Sequence, residues 1–222
     1  MTRARMTEPD MTPDMTPGGI SGRRDHRGFV RVLAYVAIAG CVILFASVVI
    51  GDIIVPDHDW IADTISDLAA GKYAYIADIG IYAFSTALIA TALMAGHLHL
   101  GGLRWSAGVM GLAVLAQVVF MIGARNEYGD NDKDGVVIHI YLVYALGALM
   151  VAIPWAFAAG AAGIGDGYRR ALLGITALWA VSAPVFFILP TQWDGIYERY
   201  LGLIALAMVL TLSRLFLVCA HR

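Results

Sequence analysis

The chain has 222 residues, 59% of them hydrophobic and only 14% charged, with a formal net charge of −2 and a mean hydropathy of +0.73. Soluble domains carry about a quarter charged residues, so a water-soluble globule is excluded. A hydrocarbon core about 30 Å thick takes roughly 20 apolar residues per helical crossing, and about six crossings would leave no room for a separate soluble domain.

Residues 1–28 differ from everything after them. In TEPDMTPDMTPGG a Thr-Pro-Asp theme recurs, and Pro9, Pro13 and Pro17 block regular structure. The segment is too polar to bury a core and reads as a disordered cytoplasmic tail ahead of a six-helix transmembrane domain, residues 29–222. Ile38-Ala39-Gly40-Cys41 loosely matches the small-residue box before a lipidated cysteine. The apolar run continues to Ile50, however, too long for a signal core, so it reads as a retained span. Cys41 and Cys219 sit in the first and last apolar runs, which gives no plausible disulfide.

The crossings fall at about 29–51, 74–96, 103–123, 136–160, 170–190 and 196–218. With the N-terminus inside, Lys72, Arg125, Lys133 and Arg199 are the outer basic residues, and the other eleven of the 15 Lys and Arg are cytoplasmic. That bias sets both termini in the cytoplasm, and the protein is expected to be a multi-pass protein of the cell (inner) membrane. The acids behave oppositely: Asp52, Asp57, Asp59, Asp63, Asp67, Glu127, Asp130, Asp132, Asp134, Asp194 and Glu198 all lie at outer ends. The expected fold is an all-α polytopic membrane helix bundle. In the fourth crossing, Ala148, Ala152, Ala156 and Gly160 form a small-residue ridge suited to close helix packing. Pro154 and Pro184 are expected to kink their helices and free backbone carbonyls.

Candidate chemistry concentrates on the outer side. In PDHDWIADTISDLAAGKYAYIADIG, Asp63 and Asp67 are four apart and would share a face of a short helix, with Ser66 beside them and His58 between Asp57 and Asp59. Carboxylates and an imidazole suit metal ligation or proton transfer; the plainer reading is an interfacial helix with a solvated acidic face. In GDNDKDG, Asp130, Asp132, Asp134 and Gly135 reproduce the opening of a calcium loop, making those aspartates the candidate ligands for a divalent metal. The twelfth position is Tyr141 rather than Glu, so a polar turn is the alternative. His139 opens the fourth crossing, with Arg125 and Glu127 ending the third and Glu198 and Arg199 opening the sixth. Asp78 lies a turn into the second. Ionisable groups at membrane depth tend to face a bundle interior and to be functional. His97 and His99 form a His-x-His pair on the cytoplasmic side with no further ligand near in sequence. No phosphate-binding glycine loop, Cys-x-x-Cys, His-Glu-x-x-His or Gly-x-Ser-x-Gly occurs, and nothing supports nucleic-acid binding beyond a few tail arginines.

The segment Ile65-Ser66-Asp67-Leu68-Ala69, following a polar loop, resembles the Ile-Ser-Glu-Leu-Gly signature of a bacterial and archaeal six-helix family catalogued as domain of unknown function 998. His139 at the start of one helix and the Glu198-Arg199 pair at the start of another resemble it too, and the likeness covers roughly residues 30–218. Asp67 and Ala69 stand where the family more often has Glu and Gly; Asp keeps the charge with a shorter reach. The resemblance implies a six-helix fold and a shared outer-face polar cluster, and carries no assigned activity.

Three function classes fit. One is a membrane-embedded hydrolase or lipid-modifying enzyme, acting on a lipid or small-molecule substrate through Ser66, Asp67, Arg125, His139, Glu198 and Arg199 gathered beneath the outer surface. A second is a small transporter or proton-coupled carrier, which would need a polar path through inner helix halves that are poor in ionisable groups. The third is a non-catalytic sensor or membrane assembly partner using the acidic outer face.

Overall fold

A computed structural model describes residues 20–124 and 138–221, with side chains from Arg27 onward. The described chain is helical: α1 (Ile20–Ile54), α2 (Ile65–Leu68), α3 (Ala74–Leu98), α4 (Leu103–Ala124), α5 (Ile138–Ala161), α6 (Asp166–Phe186) and α7 (Asp194–His221), with 3₁₀ turns at Gly71–Tyr73 and Thr191–Trp193. In lipid a backbone must satisfy its own hydrogen bonds, and long apolar runs do so as helices.

Among the described residues, five stretches are long and apolar enough to cross a membrane: Arg27–Ile54, Gly71–Leu98, Leu103–Ala124, Ile138–Ala161 and Thr191–His221. The sixth long helix, α6, opens with Asp166, Arg169 and Arg170 and is less apolar. It nevertheless rises about 31 Å over its length and packs between α5 and α7.

The helices alternate in direction. At one end, the inner, the Phe29 ring of α1 meets His97 of α3 at 4.9 Å. There also Trp105 of α4 donates its indole N–H to the Ala95 carbonyl at 2.8 Å and packs on Phe157 of α5 and Phe216 of α7. The starts of α1 and α4 thus share a level with the ends of α3, α5 and α7. The connection from α5 to α7 must then cross the bundle, which is the task of α6.

Trp105, Phe157 and Phe216 are fully buried at this inner end, and Leu112, Met208 and Leu212 continue the core toward the middle of the bundle. Close approach of α1 to α3 depends on Gly40, where a Cβ would overlap the Ala83 carbonyl, and on Gly80 against Ser47. The small-residue ridge of α5 divides. Gly160 sits under the Trp105 ring and Ala156 is buried, whereas Ala148 and Ala152 are exposed. Each four-residue step overshoots a 3.6-residue turn by about 40°, so three steps carry the row roughly 120° around the helix.

Candidate functional site

At the outer ends the chain builds two adjoining structures, a charged clasp and a cavity. The clasp starts with α2, a single turn that Thr64 makes possible. The Thr64 hydroxyl accepts from the Asp67 amide at 3.1 Å, and an Asp67 carboxylate oxygen accepts from the Thr64 amide at 2.6 Å and its hydroxyl at 2.8 Å. This reciprocal capping box satisfies amides that a one-turn helix cannot. Because α2 begins at Ile65, Asp63 stands before the helix and does not share a face with Asp67. Its carboxylate accepts from the Asp59 amide at 2.8 Å and lies 3.5 Å from His58 Nδ1.

The guanidinium of Arg199, in the second turn of α7, gathers this loop. Its Nε donates to Asp52 Oδ2 at 3.1 Å and its Nη2 to Asp52 Oδ1. Nη1 donates to the Asp63 carbonyl at 3.0 Å and the Gly195 carbonyl at 2.8 Å. His58 Nε2 lies 3.1 Å from Nη2 and 3.3 Å from Asp52 Oδ1. With the imidazole hydrogen on Nδ1, Nε2 accepts from the guanidinium and all five N–H groups of Arg199 are used. The His58 side chain is only 4% exposed and that of Arg199 13%. The backbone adds to the clasp: the Gly195 and Ile196 amides donate to the carbonyls of Ala62 and Ile61. Gly195 is required there, since a Cβ would overlap the Asp63 carbonyl oxygen.

Beside the clasp lies a cavity of about 620 Å³, in the size range of small-molecule sites. Along α5 it runs from His139 to Val151 and along α7 from Asp194 to Ala205, a depth of about 17 Å at 1.5 Å per residue. It exists because α5 and α7 scarcely touch. Its acidic and imidazole lining residues, His139, Asp194 and Glu198, sit at the outer end with Thr64 and Ser66; deeper, the walls are apolar but for Tyr144 and Trp179. Glu198 also reaches across to accept from the Ile65 amide at 2.6 Å, which sets α2 as the rim of the cavity. Trp179 donates to the Gly147 carbonyl at 3.1 Å and ties α6 to α5. Tyr197 donates to the Ser182 carbonyl, and Tyr200 pairs with the Ser182 hydroxyl, tying α6 to α7.

Five of the six residues expected to form one cluster lie among the described residues, in these two adjoining structures. Ser66, His139 and Glu198 line the same cavity. Asp67 gives one carboxylate oxygen to the capping box beside the cavity, and Arg199 places its guanidinium in the clasp. Arg125, together with Asp130, Asp132 and Asp134, lies outside the described residues. Among the described residues no group of three or more His, Cys, Asp or Glu is arranged to hold a metal ion; Asp52, His58 and Asp63 converge, but on a guanidinium. Asp52 and Asp194 were legible only as two of many outer acids. Thr64 was legible as the first residue of a Thr-x-x-Asp capping box.

The family described as "Protein of unknown function (DUF998)" matches residues 38–215, most of the chain, and the chain belongs to that family. No curated protein and no solved structure matches it.

Proposed function

We propose that this DUF998 chain is a membrane-embedded hydrolase or lipid-modifying enzyme. In this reading it holds a lipid-like molecule in the cavity, the polar end beside Ser66, His139, Asp194 and Glu198 and the apolar part between the helices. The observation that carries the reading is the polarity gradient of one cavity: acidic, imidazole and hydroxyl-bearing residues at its outer end, mostly hydrocarbon-like walls below. A few convergent polar groups at the end of an apolar pocket is the usual form of a small-molecule site. Within it Ser66 is the candidate nucleophile, His139 the candidate general base, and Glu198 the carboxylate that orients the rim and polarises the reacting group. Arg199 and Asp67 act as positioning residues that hold Ser66 at the rim. The arginine bias supports placement in the cell (inner) membrane with both ends cytoplasmic.

A carrier would want ionisable groups continuing toward the inner end, and the deeper lining is apolar. The test is turnover. The purified protein, reconstituted in vesicles of total membrane lipid extract, should convert a lipid species detectable by mass spectrometry. Ser66→Ala, His139→Ala and Glu198→Gln should each abolish the conversion while leaving the unfolding temperature near that of the parent. A static lipid profile, or full conversion by all three variants, would refute the enzyme reading.

A further inference from the structure

The cavity's walls are not equally covered. Five of its lining residues are exposed: Tyr144 and Ala148 on α5, Ala180 and Pro184 on α6, and Phe187 just past the end of α6. The lining contributed by α3, α4 and α7 is buried or half-buried. The exposed part of the lining therefore follows the seam between α5 and α6. α5 is one of the five apolar spans and α6 packs beside it, so with α6 at the same depth the seam faces the hydrocarbon of the bilayer.

The seam is built to open there and not next door. Between α6 and α7, Tyr197 and Tyr200 both bond to Ser182. Between α5 and α6, the Trp179 bond to Gly147 fixes the spacing, and small side chains at Ala148 and Ala180 leave a slot beside it. Outward of that point the two helices meet through the rings of Tyr144 and Phe187, 5.2 Å between centroids and 53% and 47% exposed. Pro184 has no N–H, so the Ala180 carbonyl lacks its helical donor and the last turn of α6 is held by fewer bonds. Two rings in mutual contact, on a turn so weakened, can part without breaking a polar contact.

We propose that the cavity is filled laterally from the bilayer through the α5–α6 seam, and that the group admitted is a hydrocarbon chain of a membrane lipid. This rests on the reading that the cavity holds a lipid-like molecule, and it adds the substrate class and the route. A slot flanked by alanines and lined by apolar groups suits an acyl chain, and a bulky hydrated group would have to shed its water to pass.

The test uses the full chain in phosphatidylcholine vesicles doped with a phosphatidylcholine carrying a photoactivatable diazirine on its acyl chain. Irradiation should label the cavity-lining residues Val143 and Ala205 as well as the bilayer-facing Val181. Ala180→Trp plugs the seam and should abolish the cavity labels while keeping the Val181 label. Val181→Trp, one residue away and 72% exposed in the parent, should leave the cavity labels intact. Gly202→Leu fills the cavity from α7, where a Cβ meets no atom within 4 Å, and should also abolish them. Cavity labelling that survives Ala180→Trp but disappears in Gly202→Leu would overturn the lateral route while leaving a lipid-binding cavity. Absence of cavity labels in the parent, with Val181 labelled, would overturn the route and the lipid-binding reading together.

Discussion

Replacing Arg199 by methionine removes one side chain and strips donors from two segments of the chain. Asp52, whose side chain is 19% exposed, loses both charge-assisted bonds, the Asp63 carbonyl loses its donor, and His58 loses the N–H facing Nε2. Breaking a buried ion pair from one side costs about 3–5 kcal/mol because the remaining charge stays desolvated. Asp52 keeps some contact with solvent, so the lower end, about 3 kcal/mol, applies. For a chain of this length that lowers the unfolding temperature by roughly 6–12 °C. The assay is thermal unfolding in detergent for Arg199→Met, Asp52→Asn and the double variant. The double variant should fall well short of the sum of the singles, with a coupling of about 1–3 kcal/mol. Arg199→Lys should recover little, since an ammonium cannot supply the planar fork that Asp52 accepts. Additive effects, or a single-variant shift within error of zero, would refute the clasp as the element holding the 52–64 segment to α7.

Two further outcomes follow from the same geometry. Gly195→Ala should loosen the loop 59–63 from α7, since the new methyl overlaps the Asp63 carbonyl oxygen; a cost of about 1–3 kcal/mol, together with faster amide exchange at Gly195 and Ile196, would register it. Thr64→Ala removes the N-cap of α2 and should cost about 1 kcal/mol, with lipid conversion falling more than stability because Ser66 lies in the turn that Thr64 starts.

The arrangement explains why the polar residues of this chain crowd its outer ends. A charge at the centre of a bilayer is costly, and the clasp places its arginine, histidine and aspartates where a loop can bring carbonyls to meet them. The cavity then uses the adjoining faces of the same helices. Glu198 and Arg199 are neighbours in sequence with separate tasks: the first faces the cavity and the α2 amide, the second the Asp52 carboxylate.

By itself the sequence determined an apolar, all-helical bundle, the approximate helix ends and the end at which the acids gather. Each of these rests on a local sum: hydropathy over about 20 residues, backbone self-satisfaction in lipid, and the sign of charge between spans. Pairing rests on no such sum. Arg199 and Asp52 are 147 positions apart, and nothing near either distinguishes that partner from the other outer acids. Nor could periodicity tell which face of α5 or α7 lines a cavity, because lipid tails and a helix interior are equally apolar and a membrane helix carries no polar stripe marking its outside. The placement of Ser66, His139 and Glu198 on a cavity beside the Asp67 capping box and the Arg199 clasp, and the gap between α5 and α7, were decided only when the helices packed, by which side chains fill the space between them and which leave it open.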